Sequence, residues 1–258
     1  MRILVSNDDG INSPGIYKLA KALCKLGKVL IVSPESERSA SGHSITMHKP
    51  LRSNKVDFYD SDIEAWSING TPSDCVKFAL EVLAKDEIDL VVSGINRGPN
   101  MGTDVLYSGT VSAAIEGAIY DKPSIAFSLC CDGECDFDIY AMLAADISKS
   151  LYDFGIEKDT VMNVNIPHIP YKDIKGIRIT KLGVRKYKNS FIERKDPRGK
   201  IYYWLAGELD ETETDEDTDI KAIKDNYISI TPIKINLTSE SLFYKMKEIN
   251  WNIPKLQV

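Results

Sequence analysis

Two adjacent acidic residues, Asp8 and Asp9, follow a short apolar run, residues 3–5, near the start of the chain. Neighbouring carboxylates at the end of a buried strand repel each other and lose hydration, and a bound divalent cation offsets both effects. The other interpretation is that the pair caps a turn before Gly10. The dipeptide alone favours neither, so the choice depends on what other strand ends bring to the same place.

Ser39 and Asn96 are able to join the two aspartates. Ser39 lies in loop 34–44 after the second predicted strand, and Asn96 lies in the glycine-rich loop 93–109 after a nearly continuous apolar strand. In doubly wound sheets, ligands bind beyond the carboxyl ends of the strands, where these residues fall. A hydroxyl and an amide oxygen beside two carboxylates make an all-oxygen set, which suits Mg²⁺, Mn²⁺ or Ca²⁺ better than a thiolate-binding ion.

The segment Ser108, Gly109, Thr110 opens a predicted helix and is a candidate phosphate-binding site. The first N–H groups of a helix have no partner within the helix and attract anions. The motif is neither a dinucleotide-binding glycine pattern nor a Walker loop with its lysine. Taken alone, it is better explained as ordinary N-capping by Ser108 or Thr110.

The three histidines, His43, His48 and His168, show no paired metal-ligand spacing and no evident carboxylate partner. Each is predicted to be a surface or structural residue. A role in the reaction is conceivable only for His43, because of its position in the sequence near Ser39.

The elements that must position these residues alternate between strands and helices over the first 170 residues. A helix predicted over residues 14–26 has Ser13 as N-cap, Pro14 at its first position and Gly27 as its stop. A second helix, residues 72–84, is capped by Thr71 with Asp74 in a capping-box position. The remaining predicted elements are strands 3–5, 29–33, 63–68, 88–93, 124–129 and 161–166, a helix from about residue 110, and a helix over 138–154. This order predicts an α/β fold with a Rossmann-like, doubly wound, mostly parallel sheet.

After about residue 171 the pattern changes to strands at 177–180, 201–205 and 227–231, followed by a helix over 239–249. We predict a catalytic core over residues 1–170 and a C-terminal part over 171–258, with a soft boundary and the possibility of one domain. Exposed strand pairs and a terminal helix are typical of oligomerisation elements, because unpaired strand edges need cover.

Composition excludes several classes of function. The net charge is −6, yet the segment 208–219 holds eight acidic residues and no basic one, so the rest of the chain is almost balanced. The sequence has no stripe of basic residues, so a nucleic-acid polymer is not predicted as a partner. It has no apolar run long enough to predict a membrane span. The acidic segment is predicted to be a solvated loop.

The five cysteines contain no C-x-x-C pair, and we predict reduced thiols and a cytoplasmic location. A soft-metal site at Cys130, Cys131 and Cys135 has no supporting histidine or spacing.

Several motifs in order resemble the SurE family of 5'/3'-nucleotidases, over nearly the whole chain. They are residues 3–10 (Ile-Leu-Val-Ser-Asn-Asp-Asp-Gly), the loop 34–42 with Ser39, residues 70–74 (Gly-Thr-Pro-Ser-Asp), 93–102, 107–110 with 116–117, 163–167 and 227–232. The acidic stretch 208–217 departs from the expected pattern and leaves the local shape of that loop open.

The resemblance implies a metal-dependent phosphomonoesterase that hydrolyses nucleoside 5'- and 3'-monophosphates to nucleoside and phosphate. It implies one divalent cation per subunit, Mg²⁺ or Mn²⁺, and a homodimer or homotetramer built through the C-terminal part. The residues that it assigns to the metal are Asp8, Asp9, Ser39 and Asn96, with Asp8 and Asp9 also the catalytic candidates.

Two alternatives to this function can be compared with it. A dehalogenase-type phosphatase with an aspartyl nucleophile needs an acidic residue two positions after Asp8, where this chain has Gly10. A metal-ordered nucleotide-binding regulator without turnover would have the same site and would bind nucleotide tightly without releasing phosphate.

Overall fold

A nine-stranded mixed sheet forms the centre of the computed structural model, which describes residues 1–58, 63–85, 87–188, 191–210, 215–249 and 251. The strands are β1 (Arg2–Ser6), β2 (Lys28–Pro34), β3 (Ser53–Val56), β4 (Glu64–Ile68), β5 (Leu90–Arg97), β6 (Ser124–Cys130), β7 (Thr160–Pro167), β8 (Ile177–Ile179), β9 (Lys186–Lys188), β10 (Phe191–Lys195), β11 (Ile201–Leu205), β12 (Glu208–Asp210) and β13 (Ile228–Lys234). The helices are α1 (Pro14–Leu23), α2 (Pro72–Phe78), α3 (Gly109–Ile119), α4 (Asp138–Phe154), α5 (Asp219–Lys224) and α6 (Glu240–Lys247).

The order across the sheet is β3-β4-β2-β1-β5-β6-β7-β13-β8. The six strands β4-β2-β1-β5-β6-β7 are parallel to one another. Strand β3 runs antiparallel to β4, and β13 runs antiparallel to β7. Helices α1 and α4 pack against each other over the largest of three clusters of buried hydrophobic residues. Helices α2 and α3 pack against each other over the other two clusters. The predicted doubly wound, mostly parallel α/β fold is therefore confirmed.

Local capping follows the sequence closely. Ser13 accepts a hydrogen bond from the N–H of Ile16, and Thr71 and Asp74 form a reciprocal capping box. Helix α1 ends earlier than predicted, at Leu23 instead of residue 26, because the next residues make a tighter turn in which Leu26 N–H donates to Leu23 O at 2.9 Å. The backbone N–H of Lys28 then donates to Met1 O, which starts β2 beside β1.

Strand β5 is longer than the sequence indicates. The predicted end is Ser93, where pairing with β1 stops, but the strand continues along β6 to Arg97 after a register irregularity between Ser93 and Asn96. Glycine at position 94 makes this extension look like a loop in the sequence. Asn96 therefore lies on the projecting end of a strand and not in a loop.

The C-terminal part contributes both to the central sheet and to separate ribbons. Strand β13 pairs with β7, and β8 pairs with β13, so both belong to the central sheet. Strands β9 and β12 form one two-stranded ribbon, and β10 and β11 form another whose residues are all exposed. The division at residue 171 and the role of this part in oligomerisation stay predictions.

Three other features differ from the sequence-based expectations or qualify them. The acidic segment is not all solvated loop, because β12 occupies its start and Asp219, fully buried, begins α5; positions 211–214 lie outside the described residues. Cys131 and Cys135 form a disulfide, so the prediction of reduced thiols was wrong for this pair. No helix among the described residues is long and apolar enough to cross a membrane, and the cytoplasmic location stays a prediction.

Candidate active site

Strand β1 ends at Ser6 and delivers the two aspartates to the carboxyl edge of the sheet. The backbone N–H of Arg38 donates to the carbonyl oxygen of Asp8 at 2.7 Å, and the backbone N–H of Arg97 lies 3.4 Å from Asp9 Oδ2. Ser39 directly follows Arg38 in the sequence, and Asn96 directly precedes Arg97. The fold therefore brings the four predicted metal-binding residues to one place.

Asn7 holds the turn that carries the aspartates. It is fully buried; its amide oxygen accepts from the Ser33 hydroxyl, and its amide nitrogen donates to Gly10 O at 3.1 Å and to Ser13 Oγ at 2.8 Å. The side chain thus ties β1 to β2 and to the start of α1. Sequence reasoning missed this role, because an asparagine before Asp-Asp-Gly also fits an ordinary turn.

The two carboxylates lie in an environment that disfavours their charge. Burial raises the pKa of Asp8, although hydrogen bonds from Thr110 oppose the shift. Burial, with the neighbouring Asp8 charge second, raises the pKa of Asp9 to about 6. The carboxylate of Glu37 adds to both shifts. A divalent cation would relieve this concentration of negative charge.

The two uncharged candidate ligands, Ser39 and Asn96, each have an oxygen atom available to a cation. Ser39 Oγ donates its proton to Glu37 Oε1 at 2.6 Å, which leaves its lone pairs for a cation. The amide nitrogen of Asn96 donates to Gly98 O at 2.9 Å, which leaves the amide oxygen for a ligand. Within the described part of the chain, no group of three or more His, Cys, Asp or Glu side chains could hold a metal. The predicted donor set, two carboxylates with two neutral oxygens, would fit a hard cation.

The N-terminus of α3 lies directly against Asp8. Ser108 caps the helix by accepting from Val111 N–H at 3.1 Å, and the Thr110 hydroxyl donates to Asp8 Oδ1. A Cβ on Gly109 would lie 2.7 Å from Asp8 Cβ and 2.9 Å from Asp8 Oδ2, so only glycine allows this approach. Both hydroxyls expected to face a phosphate have partners within the chain, and the phosphate-binding role of residues 108–110 stays a prediction.

His43 has the carboxylate partner that the sequence did not reveal. Its Nε2 lies 2.8 Å from Oε2 of Glu116, a side chain only 5% exposed on α3, and Lys77 Nζ lies 3.7 Å from the other carboxylate oxygen. The partner is 73 residues away in the chain, so no local spacing could indicate it. His48 is exposed and His168 packs against the ring of Tyr140, and neither has a contact with the aspartates.

A cavity of about 470 Å³ opens beside Asp9. Asp9 reaches it, whereas Asp8 is turned toward α3. Its other lining residues are Ser13, Pro14, Gly15, Glu37, Arg97, Glu134, Cys135 and Phe137. An apolar cavity of about 520 Å³ between α4 and β13 lies away from the aspartates.

In comparisons with known proteins, the matching family model, the similar sequences and the similar crystal structure all carry the name SurE. The family model described as "Survival protein SurE" matches residues 3–189. The chain is 56% identical over 254 residues to the 5'-nucleotidase SurE of Alkaliphilus metalliredigens, covering 97% of this chain and 99% of the relative. It is 51% identical over 241 residues to the 5'-nucleotidase SurE of Moorella thermoacetica, covering 93% of each. The crystal structure of the SurE protein from Aquifex aeolicus superposes with a TM-score of 0.84 at 43% identity, covering 96% of this chain and 98% of that one.

Proposed function

This chain belongs to the SurE family, and on that premise we propose that it is a divalent-metal-dependent 5'-nucleotidase. It hydrolyses nucleoside 5'-monophosphates, with 3'-monophosphates as a second substrate class, to nucleoside and phosphate. The support is that relatives matching 93% or more of this chain are named 5'-nucleotidases. The single observation that carries the proposal is a pair of hydrogen bonds from backbone N–H groups, from Arg38 to Asp8 and from Arg97 to Asp9. These bonds bring Ser39 and Asn96 to the same edge of the sheet.

Asp8, Asp9, Ser39 and Asn96 hold one Mg²⁺ or Mn²⁺ in this proposal. When bound, the cation supplies Lewis-acid polarisation of a phosphate oxygen and lowers the pKa of a bound water. Both carboxylates carry a raised pKa from burial, and the two neutral oxygens leave the site without excess ligand charge. Thr110 fixes the orientation of the Asp8 carboxylate by its hydrogen bond.

The remaining chemistry is positioning. Asp9 lines the cavity and orients the attacking water, while the buried Asp8 serves as a fixed ligand. The start of α3 faces the equatorial phosphate oxygens, whose charge the helix dipole favours. The 470 Å³ cavity beside Asp9 receives the nucleoside. In-line attack on phosphorus then releases the nucleoside as the leaving group.

Phosphate release from a panel of nucleoside monophosphates, with and without chelator, tests the proposal. Asp8→Asn and Asn96→Ala should each lower kcat/KM by at least about 100-fold, since each removes a ligand of the cation. The exposed Asp173 supplies the matched control, Asp173→Asn, with unchanged activity. Tight nucleotide binding without turnover by the wild type would favour the regulator instead, and full activity in both site variants would refute the assignment. Trapping radiolabelled phosphate on the protein would rule out direct attack by water.

The C-terminal part assembles a homodimer or homotetramer in this proposal. Support comes from the β10–β11 ribbon, whose two faces expose large apolar side chains: Phe191, Ile192, Ile201, Tyr202, Tyr203, Trp204 and Leu205. Surfaces of this kind mark protein interfaces. Light scattering should give a multiple of the 28.8 kDa chain mass, and replacing residues 191–205 by a short polar turn should lower it.

A further inference from the structure

The loop between β6 and α4, residues 131–137, forms one wall of the cavity beside Asp9. Glu134, Cys135 and Phe137 of this loop line the 470 Å³ space. The loop follows β6, which lies next to β5 and one strand away from β1 in the parallel sheet, so it starts at the same edge as the aspartates. The conformation of the loop therefore helps to set the shape of the space proposed for the nucleoside.

A disulfide between Cys131 and Cys135 closes this loop on itself. Cys131 is only 6% exposed and packs in the largest core cluster, whereas Cys135 reaches the cavity. The bond therefore attaches a residue of the cavity wall directly to the core.

The middle of the loop has few other attachments. Among the described residues, no hydrogen bond joins residues 132–136 to another element except at the start of α4, where Asp138 N–H donates to Asp136 Oδ1 at 2.9 Å. Residues 132–134 are exposed, and a Cβ on Gly133 would meet no atom within 4 Å. A segment with so few contacts opens readily once its covalent link is lost.

The disulfide is open to exchange with small thiols, because Cys135 is partly exposed in the cavity wall. A thiolate of a dithiol attacks Cys135 Sγ, which breaks the bond to Cys131 and forms a mixed disulfide. The second thiol of the reductant then displaces Cys135, and the reductant leaves as a cyclic disulfide. The two protons of the dithiol end on Cys131 and Cys135. A low-molecular-weight disulfide restores the bond by the reverse exchange and leaves as two thiols.

We propose that Cys131 and Cys135 form a redox switch for nucleoside binding. The disulfide form holds Glu134 and Phe137 in the conformation that receives the nucleoside, and the dithiol form releases this wall. A wall that is already ordered avoids an entropy cost when the ligand binds. The proposal rests on the proposed nucleotidase function and adds regulation to its substrate cavity.

The switch acts on the nucleoside and not on the cation. The candidate metal ligands lie after β1, in loop 34–44 and on β5, and none lies in the loop that carries the disulfide. Reduction should therefore change KM much more than kcat. This split separates a change in the cavity wall from general damage to the site.

The test compares two redox states of the full-length, Mn²⁺-loaded protein. One sample is treated with oxidised glutathione and the other with dithiothreitol, each reagent is removed without air, and mass spectrometry confirms the state of the pair. Reduction should raise KM for AMP about 3- to 10-fold and weaken adenosine binding in calorimetry by a similar factor, the effect of ordering one or two side chains. The value of kcat and the Mn²⁺ affinity should stay within about twofold.

Two variants make the comparison specific. Cys135→Ser removes the bond with little change in volume, so it should match the reduced wild type and should not respond to dithiothreitol. Cys24→Ser removes an exposed thiol outside the pair and should keep the response of the wild type. Hydrogen exchange over residues 131–137 should increase on reduction and in Cys135→Ser, while circular dichroism confirms that each variant is folded.

The outcomes separate this proposal from the proposed function. If the wild type hydrolyses AMP and both redox states give the same KM and the same adenosine affinity, only the switch is overturned. A redox response that persists in Cys135→Ser also overturns it, because another group would then be responsible. If the wild type releases no phosphate with any metal, the proposed function fails, while adenosine binding and hydrogen exchange in the two redox states still decide whether the pair controls the cavity.

Discussion

The buried carboxylate of Asp219 accepts a hydrogen bond from the backbone N–H of Gly102 at 2.8 Å, although 117 residues separate the two in the chain. Its other oxygen accepts from the N–H of Gly183 at 2.9 Å. Gly102 lies in the loop between Asn96 and Ser108, whose two ends supply candidate residues for the cation and the phosphate. The C-terminal part therefore holds the segment that joins the two halves of the site.

A second carboxylate reinforces this attachment. Asp104 Oδ2 accepts from Arg185 Nη1 at 2.6 Å and from the Tyr187 hydroxyl at 2.7 Å. The Thr103 hydroxyl donates to the carbonyl oxygen of Arg185. Loop residues 102–104 are thus fixed by four hydrogen bonds to residues beyond 180, and Asn100 is fixed by Asn163 and Asn165 of β7.

Replacing Asp219 by alanine should loosen this loop. Two buried N–H groups from distant segments would lose their acceptor, and the free energy of unfolding should fall by about 2–4 kcal/mol. We expect kcat to fall more than KM rises, because the relative placement of Asn96 and α3 changes while the nucleoside cavity does not. Urea unfolding and steady-state kinetics measure both effects. Asp217→Ala, at an exposed position of the same acidic segment, is the control; similar behaviour of the two variants would contradict the prediction.

The position of Asp219 also shows where sequence patterns fail. Its segment is predicted to be solvated, because a run of acidic residues without basic ones is usually exposed. Thr218 accepts from Lys221 N–H as an N-cap, so α5 starts within the run and carries Asp219 inward. Composition averages over residues that face opposite directions, and only the tertiary contact with Gly102 distinguishes this aspartate from its neighbours.

The hydrogen bond from Thr110 to Asp8 allows a direct test of how the Asp8 carboxylate is held in place. Thr110→Val keeps the shape of the side chain and removes the hydroxyl, leaving Asp8 Oδ1 without that donor. We expect Mn²⁺ affinity and kcat/KM to fall by about 10-fold, the effect of losing one hydrogen bond to a charged group. Thr110→Ser, which retains the hydroxyl, should remain within about threefold of the wild type. Equal loss in both variants would show that the methyl group and not the hydroxyl matters.

The pair of His43 and Glu116 should behave as a positioning device for loop 34–44. Glu116→Ala removes the anchor and leaves His43 free, so we expect kcat/KM to fall about 10-fold and backbone hydrogen exchange to increase in that loop. Glu116→Gln retains an acceptor and should keep most of the activity. Hydrogen exchange followed by mass spectrometry and kinetics on both variants check this. Unchanged exchange in Glu116→Ala would contradict the prediction.

The candidate site itself is more accessible to sequence reasoning than these supports. Asp8 and Asp9 follow a short apolar strand, and in a parallel sheet the ends of neighbouring strands meet, so the sequence pattern alone places Ser39 and Asn96 near them. The bonds from Arg38 and Arg97 agree with that placement. Glu116 could not be found in this way, because its contact with His43 depends on how α3 packs against a loop and leaves no local pattern.

The cysteines supply a last prediction, since Cys131 and Cys135 are paired whereas Cys24, Cys75 and Cys130 are free. Cys24 is exposed, although partial burial of its thiol also raises its pKa; burial raises the pKa of Cys130 to about 12 and that of Cys75 well above its usual range, and neither of these two thiols is exposed. A raised pKa keeps a thiol protonated at pH 8, and the thiolate is the form that iodoacetamide attacks. Native protein should therefore gain one adduct rapidly, at Cys24. Unfolding without reductant should give three adducts, and unfolding with reductant five, as counted by mass spectrometry. Five adducts without reductant would show that the pair is reduced in solution and would restore the expectation drawn from the sequence.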